Sequence, residues 1–331
     1  MVFGGKIMKK KIVSLMLTAV LGLALTGCGE AAAAEDGTYK IGVCQIVEHP
    51  ALDAATQGFE DALKEKLGED KVTFDVQNAQ GEQPTAATIC NGFVSANVDL
   101  ILANATTPLQ CAAAATTTIP VLGTSITDYA TALEVPVEEW TGASGRNVSG
   151  TSDLAPIDEQ ENMILELFPD VQTVGLMYCS AEANSKYQIQ LIEAELDADG
   201  IAYKEYAVAD SNEIQSVFST AVTECEVLYI PTDNTLANST ETIRNIVVPA
   251  GIPVVAGEEG ICSGCGVATL SISYYDLGYA TGEMAAQILL EGKDISTMEI
   301  QYAPNVTKEY NAELCDTLGI SVPSDYVAIG E

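Results

Sequence analysis

Ile41-Gly42-Val43 returns as Val174-Gly175-Leu176, and Ile119-Pro120-Val121 returns as Ile252-Pro253-Val254, both at a spacing of 133 residues. Between these anchors Asp99 matches Glu226 at a spacing of 127, so one loop differs in length between the copies. A repeat of this length is domain-sized. It demands an architecture that one half of the chain can build and the other half can copy.

Within each copy, apolar runs of strand length alternate with helical periodicity. The first copy predicts strands at 39–46, 72–77, 98–104 and 119–125, with helices at 51–67, 84–96 and 108–117. In the first helix Leu52, Ala55, Phe59, Ala62 and Leu63 share one face. The second copy predicts strands at 172–180, 202–208, 226–231 and 252–257, with helices at 183–198, 211–221 and 236–247. The fold class is therefore α/β, with two doubly wound, Rossmann-like lobes. Right-handed crossovers put strand C-termini and helix N-termini on one edge of each sheet, where such sheets bind ligands. Two lobes facing edge to edge share one cleft.

Gly145-Arg146-Asn147-Val148-Ser149-Gly150 reads as a break, and a second break lies near 257–273. The helix predicted at 275–291 lacks a counterpart in the repeat, which suggests that it returns to the first lobe. The expected division is 39–150 plus about 273–298 for the N-terminal lobe, and 151–272 plus about 299–331 for the C-terminal lobe, joined by a hinge of several crossings.

The loops expected at the cleft carry Glu48 and His49, Thr106 and Thr107, then Ser125, Thr127 and Asp128. Ser152 and Asp153 stand at the hinge. Asn184, Ser185, Thr232, Asp233, Asn234, Glu258 and Glu259 follow strands of the second lobe. Hydroxyls and free N–H groups at Thr106-Thr107 and Asn184-Ser185 suit a carboxylate at helix N-termini. Asp128, Asp153, Asp233 or Glu259 suit an ammonium. Only Arg146 and Arg244 supply guanidinium groups, which disfavours phosphate and dicarboxylate ligands. The set fits a zwitterion or a polar neutral solute. The same residue types also serve as caps and turns, as for Thr106, Ser152 and Asn234, and His49 also suits a local hydrogen bond.

Lys6, Lys9, Lys10 and Lys11 precede an apolar run, Ile12–Leu25, that ends in Leu25-Thr26-Gly27-Cys28. This order reads as a signal peptide over 1–27, with Met8 a plausible start. Its small residues before Cys28 resemble a lipobox, in which the cysteine carries acyl chains such as palmitate. Residues 28–38 read as a flexible tether. The expected location is the extracytoplasmic face of the cell membrane, held by lipid. The chain beyond the signal has 10 basic and 47 acidic residues, a formal charge of −37. That charge excludes nucleic acid as a partner. A monomer is expected. Of nine cysteines, eight remain after Cys28, and most fall in apolar patterns. Cys262 and Cys265 leave a disulfide open, but with one histidine in the chain no metal site is expected.

Catalysis is not expected. His49 is the only histidine, no G-x-S-x-G surrounds a serine, and there is no P-loop or G-x-G-x-x-G. No cofactor is expected.

The segments IVEHPALDAATQGFEDAL, ANATTPLQ, SITD, NVSGTSD, EANS, YIPTDNT, VVAGEEG and SISYYDLGYATGEMAAQIL, in this order, resemble the ABC transporter substrate-binding proteins of the tryptophan/tyrosine type. The resemblance runs from about residue 40 to the end. It implies the type I periplasmic-binding fold, an aromatic amino acid as ligand (tryptophan, tyrosine or phenylalanine), and a permease and ATPase as partners. It adds Tyr274 and Asp276, near the hinge, to the implied pocket. The chain departs from the pattern at ATTPLQC, where the family commonly has ATPAAQA, and at CSGC. The alternative is a binding component for another small polar solute, or for a sensor system.

Overall fold

The computed structural model describes residues 37–303 and 305–330. The predicted signal peptide, Cys28 and nearly all of the tether lie outside the described residues.

The first half runs β1 (Tyr39–Gln45), α1 (Pro50–Leu67), β2 (Val72–Asn78), α2 (Gln83–Ala96), β3 (Leu100–Asn104), α3 (Thr106–Ala115), β4 (Val121–Ile126), α4 (Tyr129–Ala132) and β5 (Val148–Ser152). The second runs α5 (Ile157–Leu167), β6 (Thr173–Cys179), α6 (Ala183–Asp199), β7 (Ala202–Val208), α7 (Ile214–Ala221), β8 (Val227–Ile230), α8 (Asn234–Ala237), α9 (Thr240–Ala250), β9 (Val254–Ala256), α10 (Glu259–Cys265) and β10 (Ala268–Ser271). The chain ends with α11 (Tyr274–Glu291), β11 (Gln301–Tyr302), β12 (Thr307–Tyr310), α12 (Ala312–Leu318) and β13 (Val327–Ala328).

Two sheets result. The first has the order β2-β1-β3-β4-β5-β11, all parallel. The second has the order β7-β6-β8-β9-β10-β12-β13, with β12 antiparallel to β10. Helices cover both faces, so central strands are apolar throughout rather than alternating. β3 and β8 are buried at every position. The edge strand β7 is mostly open.

β5 and β10 fall in stretches that read as breaks. β5 is Val-Ser-Gly-Thr-Ser, fully buried but without an apolar period. It can lie beside β4 because Gly150 (φ +144°) and Gly123 bring the two backbones together, and a Cβ on Gly150 would collide with the Gly123 carbonyl. The lobe boundaries shift accordingly. Residues 151–152 belong to the first sheet, not the second lobe, and Gln301 and Tyr302 pair with Thr151 and Ser152. The last crossing therefore lies between 303 and 307, later than the expected 299. The helix expected at 236–247 is two helices, broken at Asn238-Ser239.

The returning helix α11 packs on α1 at backbone distance. A Cβ at Gly278 would strike the Ala55 carbonyl, one at Gly58 the Tyr275 carbonyl, and one at Gly282 Ala62 and Phe59. Replacing Gly278 by Ala must push the helices apart. Overpacking of this kind costs about 1–3 kcal/mol, so Gly278→Ala is expected to lower the unfolding free energy by that amount, read as a lower denaturant midpoint at unchanged slope. An unchanged midpoint would show that the contact can relax freely.

Candidate functional site

β1, β3 and β4 are in register at Gln45, Asn104 and Thr124. His49, Thr106 and Ser125, which follow them, therefore leave the first sheet along one edge. All three are buried, yet His49 Nδ1, Thr106 Oγ1 and Ser125 Oγ have no hydrogen-bond partner in the protein. Leaving a buried polar atom unpaired costs about 1–3 kcal/mol, so three on one edge mark it as special. The backbone is strained at the same place. Ala105 has φ +97° and Ser125 φ +58°, a region costly for residues with a Cβ. Ser125 sits where the β4–β5 register slips between Gly123 and Ile126. Such irregularities re-aim side chains beside sites. Ala105 is also the N-cap of α3 and offers no side-chain acceptor. The first N–H groups of α3, at Thr106 and Thr107, thus point at the cleft edge uncapped.

The second lobe is the opposite case, because its polar residues satisfy one another. Glu182 accepts from Asn234 N (3.0 Å) and Nδ2 (2.7 Å), and from Thr235 N and Oγ1 (both 2.8 Å). Asn184, Ser185 and Gln188 all donate to the Thr232 carbonyl, at 3.0, 3.3 and 3.2 Å. Asp233 caps α8 through Leu236 N (2.9 Å) and accepts from Cys179 N (2.6 Å). Burial, and next the neighbouring Glu182 carboxylate, push Asp233 up to about 8.

Among the described residues, Gln188 and His49 carry hydrogen bonds that cross between the lobes. Gln188 Nε2 donates to Thr127 Oγ1 at 3.4 Å, and His49 Nε2 meets Asn234 Oδ1 at 3.2 Å. Because Asn234 Nδ2 is committed to Glu182, its oxygen faces the histidine, so Nε2 carries the proton and Nδ1 is a bare acceptor. Burial holds the ring below its ordinary pKa and keeps it neutral. At the hinge Asp153, 2% exposed, accepts from Thr127 Oγ1 (3.2 Å) and Tyr274 OH (2.9 Å). Burial pushes it up to about 6.

Several expected residues stand elsewhere or act differently. Asp128 caps α4 through Thr131 N at 2.6 Å. Glu258 caps α10 through Gly260 N and Ile261 N, and burial pushes it up to about 7. These acids, with Asp233, turn onto their own helix N-termini, where a side-chain acceptor satisfies otherwise unpaired N–H groups. Asn184 and Ser185 donate to the Thr232 carbonyl, and Asn184 also to Glu182 beside them. Ser152 Oγ donates to the Thr127 carbonyl (2.9 Å). Glu48 is exposed and lines a depression with Asp53 and Glu60 at the outer edge. Glu259 and Asp276 are exposed and line a separate cavity on the hinge flank. Three residues were missed: Gln188, Glu182 and Tyr187. The spacing of Asn184, Ser185 and Gln188 on one helical face is the signal that could have found Gln188. Tyr187 lies near enough to Asp128 that this charge, after burial, raises its pKa.

Residues 40–329 match the family model for ABC transporter substrate binding proteins. The chain belongs to this family. It is 36% identical over 311 residues to a tyrosine-binding protein of Clostridioides difficile, covering 89% of this chain and 88% of that one. The structure of a Streptococcus pneumonia ABC domain in complex with L-Trp is 32% identical, with TM-score 0.82, covering 87% of this chain and 96% of that one. A ligand-free, open substrate-binding protein with adhesive properties from Clostridium difficile is 36% identical, with TM-score 0.66, covering 88% and 99%. Despite the lower identity, the chain superposes better on the tryptophan complex. The fold is that of type I periplasmic-binding proteins.

The buried acids set the pH response of this substrate-binding protein. Unfolded carboxyl groups lose their protons near pH 4. Folded Asp153, Glu258 and Asp233 retain them to about 6, about 7 and about 8. Their raised values contribute stability that is fully present below about pH 4 and is lost as pH rises through the folded values. His49, held low, works the other way and only below about 6.5. The thermal midpoint of the unliganded protein is therefore expected to fall from pH 6 to 9. A flat or rising profile would refute these assignments.

Proposed function

We propose that the chain captures an aromatic amino acid between its lobes and delivers it to a permease–ATPase importer from a lipid anchor at Cys28. The observation that carries the reading is the strained edge of the first lobe, where His49 Nδ1, Thr106 Oγ1 and Ser125 Oγ are buried without protein partners. The uncapped N-terminus of α3 suits the α-carboxylate, through Thr106 and Thr107. Asp153 at the hinge, with lone pairs beyond those used by Thr127 and Tyr274, suits the ammonium. Similarity to a tyrosine-binding protein and to an L-Trp complex supports an aromatic side chain.

Closure is the delivery signal. Gln188 and His49 bond across the cleft only when the lobes meet, so a ligand that bridges the same loops favours the closed form by its differential affinity. The protein is assigned binding rather than chemistry, in keeping with a family of substrate-binding proteins. No helix among the described residues is long and apolar enough to cross a membrane.

Tyrosine, tryptophan or phenylalanine at about 100 times Kd is expected to stabilise the protein by about 2.7 kcal/mol, read as a rise in thermal midpoint. A panel of the twenty amino acids with no response to these three would remove the aromatic assignment. Gln188→Ala is expected to weaken that ligand at least about tenfold, because its bond to Thr127 forms only on closure, and also to lower the unliganded midpoint, because its bonds to Thr232 lie within the second lobe. The anchor has its own test. Cells fed an alkynyl palmitate should label the wild-type chain but not Cys28→Ser, and labelling of the variant would place the lipid elsewhere.

A further inference from the structure

Three cysteines gather in the first lobe, away from the cleft loops. Cys44 lies on β1, Cys90 on α2 and Cys111 on α3, and all three are buried free thiols. Helix α2 sits close over β1, since a Cβ on Gly42 would strike the Phe93 ring. Gly42 and Cys44 are two residues apart on a strand and so present the same face. Ala86, Cys90 and Phe93 are buried together and, at spacings of four and three, share one face of α2. Phe93 stands over Gly42, and the Ala86 carbonyl is 4.0 Å from Cys44 Sγ. Cys90, between them, therefore falls over Cys44.

The thiols behave as this placement requires. Cys44 and Cys90 hydrogen bond to each other, and that contact acts on the titration of both more strongly than burial does. It raises Cys44, whose S–H donates, and lowers Cys90, whose sulfur accepts. Among the described residues no other two cysteines are joined in this way. Cys111 and Cys90 interact only through charge, as do Cys262 and Cys265. Nor do the three thiols make a group that could hold a metal ion.

We infer that Cys44 and Cys90 are a disulfide-forming pair that staples β1 to α2, with Cys111 left as a thiol. The oxidant is a small disulfide of the glutathione class. One thiolate of the pair attacks a sulfur of that disulfide and releases one small thiolate, which leaves a mixed disulfide. As α2 docks on β1, the other cysteine attacks the protein sulfur of the mixed disulfide and expels the second small thiolate. One protein disulfide forms, the small disulfide is reduced to two thiols, and these take up the two protons that the cysteines lose. Both sulfurs are 0% exposed once α2 is seated, so the exchange belongs to folding and the finished bond is shielded from reductants. The bond would hold the end of β1, from which the chain runs on to His49, against its covering helix. It needs oxidising surroundings, and to that extent rests on the extracytoplasmic location proposed above; the test below does not.

The full chain, unfolded and reduced, is refolded by dilution into glutathione and glutathione disulfide. Free thiols are then alkylated with iodoacetamide, and peptides are mapped by mass spectrometry without reduction. The expected product is a cross-linked pair of peptides holding Cys44 and Cys90, with Cys111 alkylated. Its thermal midpoint is expected to lie roughly 5 °C above that of the chain refolded in dithiothreitol. Cys90→Ala should lose that rise, whatever the substitution does to the midpoint itself. The peptide map is read on the wild-type chain, so it decides the pairing even where the variant fails to fold. Alkylation of both Cys44 and Cys90 after oxidative refolding, a link from either to another cysteine, or a rise that persists in Cys90→Ala would overturn the staple.

Discussion

The close contact between α1 and α11 determines how the molecule is strung together. Gly58, Gly278 and Gly282 let two helices more than two hundred residues apart touch backbone to backbone. Helix α11 follows the last parallel strand of the second sheet in sequence, yet it packs in the first lobe. The chain must therefore cross between lobes after β5, after β10 and again after β11. Three crossings confine the lobes to rotation about one line, which is the motion a closing cleft requires. The same contact seats α1, and α1 begins at Pro50, directly after His49. The histidine that meets Asn234 across the cleft is held in place by a glycine contact on the far side of the helix.

The two faces of the cleft solve one problem in different ways. Parallel sheets with right-handed crossovers deliver several helix N-termini to one edge, and each arrives with unpaired N–H groups. In the second lobe Asp233 and Glu258 cap α8 and α10, and Glu182 binds the loop after β8. In the first lobe Asp128 caps α4, but α3 starts at a strained alanine with nothing to offer. Helices α1 and α6 also start without a side-chain cap, but α3 alone among them starts at a strained alanine. Strain at Ala105 and Ser125, and unpaired atoms at His49, Thr106 and Ser125, fall on that same side. The first lobe thus holds the pre-formed, unsatisfied half, and the second brings a rigid polar lattice to close against it.

Three of the seven acids named from sequence, Asp128, Asp233 and Glu258, serve as caps. Composition and loop position cannot distinguish the two uses, because a carboxylate next to a helix N-terminus is good for either. Glu48, Glu259 and Asp276 occupy loops of the right kind, yet their side chains leave on the wrong side, a matter of one rotation in the chain. Gln188 was missed because it lies inside a helix, and loop-based reasoning does not look there.

What the sequence by itself determined is the plan: two α/β lobes, the return of the helix after residue 273, and the family. The lobes follow from the period of apolar residues and from a repeat at 133, and the family from the resemblance of the loop segments, all local or one-dimensional properties. β5 and β10 escaped because they are short and rich in serine, threonine and glycine, so nothing periodic announces them. They exist because neighbouring strands supply hydrogen bonds, and at β5 because glycines permit the approach. Tertiary structure alone decided which polar atoms remain unpaired. Satisfaction of a hydrogen bond depends on what folds opposite it, and for His49, Thr106 and Ser125 what folds opposite lies across the cleft in the other lobe.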